Sequence, residues 1–274
     1  MKTLYVSDLD GTLLNNNAQI SGKTKGIIND LIFKGMYFTY ATARSFSSAI
    51  NATNCLNLEL PVIVHNGTFI IDSKTKEKLL ALYFTDDEKN FLIDSLDKHS
   101  INPVVYGNIE NAERISWLLN KENDGIKKYL DWRKGDNRLR PIKDKTGLFC
   151  GELYCIICIG KKQELEKFYE FLEKSAKFYC TFQQEFYTGE YWCEIMPKKA
   201  TKGNAIKILK EEFGFDKLIT FGDAVNDIPM FEISDESYAV ENGADELKKY
   251  ATGIIPSNTE DGVAEWLKNN YCKM

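Results

Sequence analysis

Apolar residues in this chain fall in short blocks separated by amphipathic stretches, and the alternation is regular at both ends. Thr3-Leu4-Tyr5-Val6 is aliphatic, aromatic or β-branched throughout, as a buried strand requires. A helical pattern follows near 21–34, then a strand at 36–41, a helix near 45–55 and a strand at 61–65. Beyond residue 200 the same rhythm returns: helix 201–213, strand 217–221, helix 227–233, strand 236–240, helix 243–250 and strand 252–255. Strands that alternate with helices predict an α/β fold, a doubly wound parallel sheet with helices on both faces. Ser21 stands where the first helix needs an N-cap, and Gly35 lies just past its end.

The middle of the chain changes character. Thr85 and Glu88 form a capping-box pattern that opens a helix over 86–99, and a second helix is expected near 161–175. Strands are expected near 103–106, 152–159, 178–183 and 191–196. These elements read as an inserted α+β cap domain, 83–190, between core segments 1–82 and 191–274. The polar stretch from Asp131 to Lys145 reads as a solvated loop within the insert.

Two of the core strands run straight into carboxylates. The first ends in Asp8-Leu9-Asp10-Gly11-Thr12, and Leu218-Ile219-Thr220-Phe221 is followed by Gly222-Asp223-Ala224-Val225-Asn226-Asp227. Parallel strands present their C-terminal ends on one edge, where open α/β sheets bind ligands. Asp8 and Asp10, two apart on an extended chain, point the same way unless a bend at Gly11 aims a backbone carbonyl inward instead. Asp8, Asp10, Asp223 and Asp227 would then form an oxygen-rich cluster. Crowded acids repel without a cation, and hard oxygen ligands suit magnesium. Asp227 also fits a helix N-cap.

Four stretches together resemble the haloacid dehalogenase superfamily of phosphatases, most closely its Cof-type branch with a large cap. Asp8-Leu9-Asp10-Gly11-Thr12-Leu13-Leu14 is similar to its first motif and Tyr40-Ala41-Thr42-Ala43-Arg44 to its second. Thr201-Lys202-Gly203-Asn204-Ala205 is similar to the third, and Gly222 to Asp227 to the last. Val64-His65-Asn66-Gly67 and the tail from Ser257 to Ala264 also look like this branch. Two positions depart from it: Ala43 and Gly243 stand where the branch usually has glycine and asparagine.

The resemblance implies Asp8 as nucleophile and Asp10 as general acid and base. Magnesium would lie on Asp8, Asp10 (through its carbonyl), Asp223 and Asp227, the last through a ligand water or as the partner of Lys202. Leu9, Thr42, Ala43 and Lys202 would bind phosphate, and Asn226 would bind phosphate or orient Asp8. Arg44 stands between a structural ion pair and a phosphate-side role, and Asn66 between a turn residue and a substrate contact. Tyr187, Tyr191 and Trp192 lie near the return from the insert, as core or as substrate contacts.

Composition narrows the setting. With 35 basic and 40 acidic side chains the net charge is −5, which offers no footprint for nucleic acid or an anionic membrane. No apolar run reaches the roughly 18 residues of a membrane span. The seven cysteines are scattered, and the Cys155-Ile156-Ile157-Cys158 pair sits inside an apolar run, as buried thiols do. The expected protein is a cytoplasmic magnesium-dependent phosphatase acting on a small phosphomonoester, a sugar phosphate or phosphorylated cofactor. A phosphotransferase or phosphomutase on the same core is the alternative, and a non-catalytic binding protein a third.

Overall fold

In the computed structural model, which describes residues 1–184 and 189–271, the chain divides into two units. The core unit begins with β1 (Thr3–Ser7), α1 (Gly22–Phe33), β2 (Tyr37–Tyr40), α2 (Phe46–Thr53), β3 (Val62–Val64), β4 (Phe69–Ile71) and β5 (Lys78–Ala81). The Ser21 side chain accepts from the Thr24 N–H and so caps α1 as expected. Leu4 and Val6 of β1 are fully buried, in a cluster with Ala41, Ile63, Ala205 and Leu209.

The inserted unit comprises α3 (Asp86–Lys98), β6 (Val104–Ile109), β7 (Ala112–Leu118), α4 (Asp124–Trp132), β8 (Leu139–Ile142), α5 (Lys145–Leu148), β9 (Glu152–Gly160), α6 (Lys162–Ser175), β10 (Phe178–Gln184) and β11 (Tyr191–Pro197). Its six-stranded sheet has the order β10-β11-β9-β6-β7-β8, antiparallel except for β7 with β8. Thr85 and Glu88 make the expected capping box on α3. Leu92 and Leu96 of α3 and Leu165, Phe168 and Leu172 of α6 share a core with Cys158, Cys193 and Ile195 of the sheet.

The core unit resumes with α7 (Lys202–Glu212), β12 (Lys217–Gly222), α8 (Ile228–Phe231), β13 (Glu236–Val240), α9 (Asp245–Lys248), β14 (Gly253–Ile255) and α10 (Gly262–Asn270). Five parallel strands form its sheet in the order β14-β13-β12-β1-β2. A single parallel bridge, Ala41 to Ile63, joins β3 alongside β2, and β3 then pairs antiparallel with β4. This is the α/β core with a parallel sheet that the alternation implied.

Two expectations need correction, and one hairpin was missed. The units divide at Ala81/Leu82 and at Lys199/Ala200, so the insert ends later than residue 190. The reason is β11, which lies between β10 and β9 and hydrogen-bonds to both. The stretch from Asp131 to Lys145 is not all loop, because β8 pairs with β7 along Ile115–Leu118. The β4–β5 hairpin over 69–81 was not anticipated, although its three β4 residues are buried. Cys155 and Cys158, three apart on β9, fall on opposite faces, and burial pushes both thiols up.

Candidate active site

Neighbouring parallel strands set the site. β1 pairs with β12 so that Ser7 lies opposite Phe221, and the Asp8 N–H continues the ladder to the Phe221 carbonyl at 2.9 Å. Asp8 and Asp223 therefore leave the sheet at one edge. The chain turns immediately through Leu9–Leu13, closed by the Leu14 N–H on the Leu9 carbonyl at 2.8 Å. Gly11 makes that turn at φ +75°, and a Cβ there would stand 2.3 Å from Asp223 Oδ2. Both the conformation and the space demand glycine.

Carboxylate oxygens of Asp8, Asp223 and Asp227 lie within 4.8 Å of one another. Asp227 Oδ2 accepts from the N–H groups of Asp223 and Ala224 at 2.9 and 3.0 Å, so its carboxylate caps backwards rather than into α8. Thr12 Oγ1 donates to Asp223 Oδ1 at 2.9 Å. Lys202 opens α7 behind the Thr201 N-cap, and its ammonium donates to Asp8 Oδ1 and to Asp227 Oδ1, both at 2.6 Å. Its side chain is 1% exposed, so these two carboxylates are what keeps the charge tolerable. Burial opposes the ammonium form, but the charges of Asp227 and Asp8 outweigh it and hold Lys202 above the ordinary lysine range.

One ammonium does not balance three acids. Burial raises Asp8 well above the usual carboxylate range; Lys202 pulls it down, while Asp227 and Asp223 push it further up. Burial and then Asp227 raise Asp223 to about 6. An all-oxygen cluster short of positive charge fits a hard divalent cation.

Asp10 does not join the cluster with its carboxylate. The chain leaves the extended conformation after Asp8, so the two-residue alternation is lost, and the half-exposed Asp10 side chain turns to Arg44. The guanidinium holds it at both ends, Nε to Oδ2 at 2.7 Å and Nη2 to Oδ1 at 2.6 Å. The expected four-carboxylate group is thus three carboxylates plus a separate ion pair. Of the two readings of Arg44, the structure shows the ion pair.

Thr42 is fully buried, and its hydroxyl oxygen accepts from the Arg44 N–H at 3.1 Å. Backbone bonds stitch its loop on both sides: Ala41 N–H to the Ser7 carbonyl, Thr42 N–H to Ile63, His65 N–H to Arg44 and Asn66 N–H to Thr42, at 2.9–3.0 Å. Ala43 is exposed, so its methyl group does not crowd this loop. Asn66 is buried at φ +53° and accepts from Asn226 Nδ2 at 3.0 Å. Asn226 therefore reaches Asn66 and not Asp8. Leu9 is fully buried beside Asp8.

Several supporting residues were missed. Asn242 Nδ2 donates to the Gly11 carbonyl at 2.8 Å, and Asn258 Nδ2 to the Leu14 carbonyl at 2.9 Å, bracing the two ends of the turn that carries Asp10. The Ala244 N–H bonds the Asp223 carbonyl at 2.7 Å, and a Cβ on Gly243 would stand 3.1 Å from Asp223 Cα. The glycine departure thus accompanies close packing on Asp223. Both asparagines lie in stretches that already looked familiar, but a sequence gives no distance to a backbone carbonyl more than two hundred residues away.

In the inserted unit, Trp192 meets the Tyr129 ring edge-on at 5.5 Å, and its buried Nε1 has no hydrogen-bond partner among the described residues. Tyr191, next along β11, packs on the other face against the helix-covered core. Tyr187 lies outside the described residues.

Comparison with known proteins places this geometry. The family of haloacid dehalogenase-like hydrolases matches residues 5–267. A putative phosphatase of Buchnera aphidicola subsp. Schizaphis graminum is 28% identical over 287 residues, covering 100% of this chain and 97% of that protein. A Bacillus subtilis protein named 5-amino-6-(5-phospho-D-ribitylamino)uracil phosphatase is 27% identical, covering 97% of each chain. Among solved structures, a haloacid dehalogenase-like hydrolase from Bacteroides thetaiotaomicron superposes with a TM-score of 0.79 at 22% identity, covering 99% of this chain and 100% of that one.

Proposed function

The chain belongs to the haloacid dehalogenase-like hydrolases and is a phosphatase; from that premise we propose that it hydrolyses a small phosphomonoester through an aspartyl-phosphate, with magnesium as cofactor. The observation that carries this reading is the buried Lys202 shared by Asp8 and Asp227 beside Asp223. Asp8, Asp223, Asp227 and the Asp10 carbonyl would hold the cation, which when bound neutralises phosphate charge so that a carboxylate can approach phosphorus.

Asp8 attacks phosphorus, the bond to the leaving oxygen breaks, and a phosphoryl ester forms on its carboxylate. Asp10 gives the leaving alkoxide its proton. It then takes a proton from the water that splits the ester, a second task Asp8 cannot perform while esterified. Lys202 fixes Asp8 in the attacking orientation and, with Thr42 and the loop backbone at Leu9 and Ala43, answers the charge developing on the phosphoryl oxygens. Asn226 and Asn66 brace each other at that rim. Arg44 holds Asp10 at rest and releases it when an anionic substrate competes for the guanidinium.

Leaving-group choice is assigned to the inserted unit as a cap, with Trp192 as its contact, because the core edge offers only groups that recognise cation and phosphoryl. The relative named for a phosphorylated ribitylaminouracil supports a phosphorylated cofactor or precursor, or a sugar phosphate, as the substrate class. Free thiols among the described cysteines support a cytoplasmic setting. A panel of phosphomonoesters, scored by phosphate release with magnesium and after EDTA, tests the reading. Activity undiminished after thorough metal removal, or retained by Asp8→Asn, would overturn it.

A further inference from the structure

The strand ends opposite the carboxylates enclose a second concavity that the proposed chemistry does not use. It is a cavity of about 490 Å³, beneath the starts of β1, β2, β12 and β13 and beside the last turn of α10, a size typical of small-molecule sites. Tyr5, Tyr37, Tyr238, Trp266 and Tyr271 are its aromatic lining residues, and Lys2, Lys34 and Lys217 its basic ones, against one acidic residue, Glu236. The chain as a whole has the reverse balance, at −5.

Most of these charges are already answered. Glu236 pairs with Lys217 and accepts from the Tyr238 hydroxyl at 2.6 Å, and Lys34 meets Asp30 at 2.6 Å. Lys2 differs. Its Nζ donates to the Phe213 carbonyl at 2.6 Å and lies 5.0 and 4.5 Å from the ring centroids of Tyr37 and Phe215. Asp216 accepts from the Lys2 backbone N–H at 2.7 Å, but no carboxylate among the described residues forms an ion pair with the ammonium. The rings provide π faces: Tyr238 and Trp266 stand 4.4 Å apart, tilted by 43°, and Tyr5 meets Tyr271 edge-on at 6.1 Å. A cation held only by neutral partners, beside tilted and edge-on aromatic rings, suits an anion attached to a ring.

We propose that this cavity binds an aromatic phosphate of nucleotide size, its ring against Tyr238, Trp266 and Tyr271 and its phosphate toward Lys2. The site is separate from the carboxylate edge, since β1 runs from Thr3 at the cavity to Ser7 beside Asp8.

Trp266 gives a local readout, because the other tryptophans, Trp117, Trp132 and Trp192, all belong to the inserted unit. The full chain with those three changed to Phe is titrated in EDTA with AMP, adenosine and ribose 5-phosphate, and Trp266 emission is followed. AMP is expected to change it saturably, with the other two binding at least about tenfold more weakly. Lys2→Met is expected to weaken AMP about tenfold and leave adenosine unchanged, while Asp8→Asn alters neither. If the triple variant does not fold, the Trp266 indole signal of the ¹⁵N-labelled wild-type chain, assigned with Trp266→Phe, gives the same readout. No response to millimolar AMP, equal responses to AMP and ribose 5-phosphate, or an unchanged AMP affinity in Lys2→Met would each overturn the proposal.

Discussion

The two units bury polar groups in opposite ways. The core unit gathers three carboxylates on one strand edge and answers them with a single buried ammonium. The inserted unit distributes its polar groups in small local pairs: Tyr106 with Tyr129 through their hydroxyls, Tyr154 donating to Glu113 at 2.7 Å, and Arg138 on Glu113 and Asp136 at 3.1 and 2.6 Å. Beside Arg138 the Asp136 carboxyl lies below its ordinary range, whereas burial and crowding hold Asp8 and Asp223 above theirs. A folded chain tolerates an unbalanced cluster only where something else completes it. The imbalance in the core supports the proposed chemistry there, and the local pairs of the insert are what packing alone requires.

The sharpest way to break this contrast is Asp8→Asn. It should remove turnover on every substrate alike, by more than about 10⁴-fold, because the amide is a poor nucleophile. Circular dichroism should show the fold intact; a loss confined to some substrates would contradict a shared core chemistry. Asp10→Asn comes next. It should cost about 10²–10⁴-fold on an alkyl phosphate and clearly less on an aryl phosphate, whose leaving group needs little protonation. Equal losses on the two would remove Asp10 from the acid role.

Lys202→Met tests the imbalance itself. It leaves Asp8 and Asp227 buried without their cation, and loss of one partner from a buried pair costs about 3–5 kcal/mol. Urea denaturation in EDTA measures it, and a change below about 1 kcal/mol would mean that the ammonium is not what balances the edge. In the insert, Trp192→Ala should leave hydrolysis of a generic aryl phosphate nearly unchanged but shift the ranking of kcat/KM across a substrate panel by about tenfold, or ~1.4 kcal/mol. An unchanged ranking would make Trp192 a packing residue.

The smallest effect concerns pH. Asp223 is held at about 6 in the folded chain, above its unfolded value. Between that unfolded value and about 6 the native state therefore keeps a proton that the unfolded chain has released. The metal-free protein should lose stability as pH rises through this window. A divalent cation replaces the proton, so its stabilising increment should be larger at pH 7.5 than at pH 5. Melting curves with EDTA and with magnesium at both values measure this, and equal increments would contradict it.

What the sequence disclosed follows the same division. The core strands, Asp8, Asp223 and Asp227 were legible because parallel strands end on one edge and buried acids there have few alternatives, whereas Lys202, at a helix start, was legible only through the resemblance of its motif. The direction of Asp10 was not legible, since it depends on the turn at Gly11 rather than on strand alternation. The Asn66–Asn226 bond joins loops separated by 160 positions and leaves no periodic trace. β8 was hidden because it is an edge strand containing Pro141, paired only with β7 and without an alternating burial pattern. The fate of β11 was ambiguous because a strand that closes an insert and one that reopens a core have the same apolar pattern.

The charge balance of the carboxylate edge also bears on the order in which the proposed cation and ester would bind. Three acids against Lys202 leave two negative charges unbalanced when all are ionised, in a setting where burial weakens screening. A phosphate dianion would meet like charge there, whereas a divalent cation would cancel the excess. Under the proposed magnesium chemistry, turnover would then be ordered, cation before ester, and high concentrations of free ester would slow it by competing for the cation in solution.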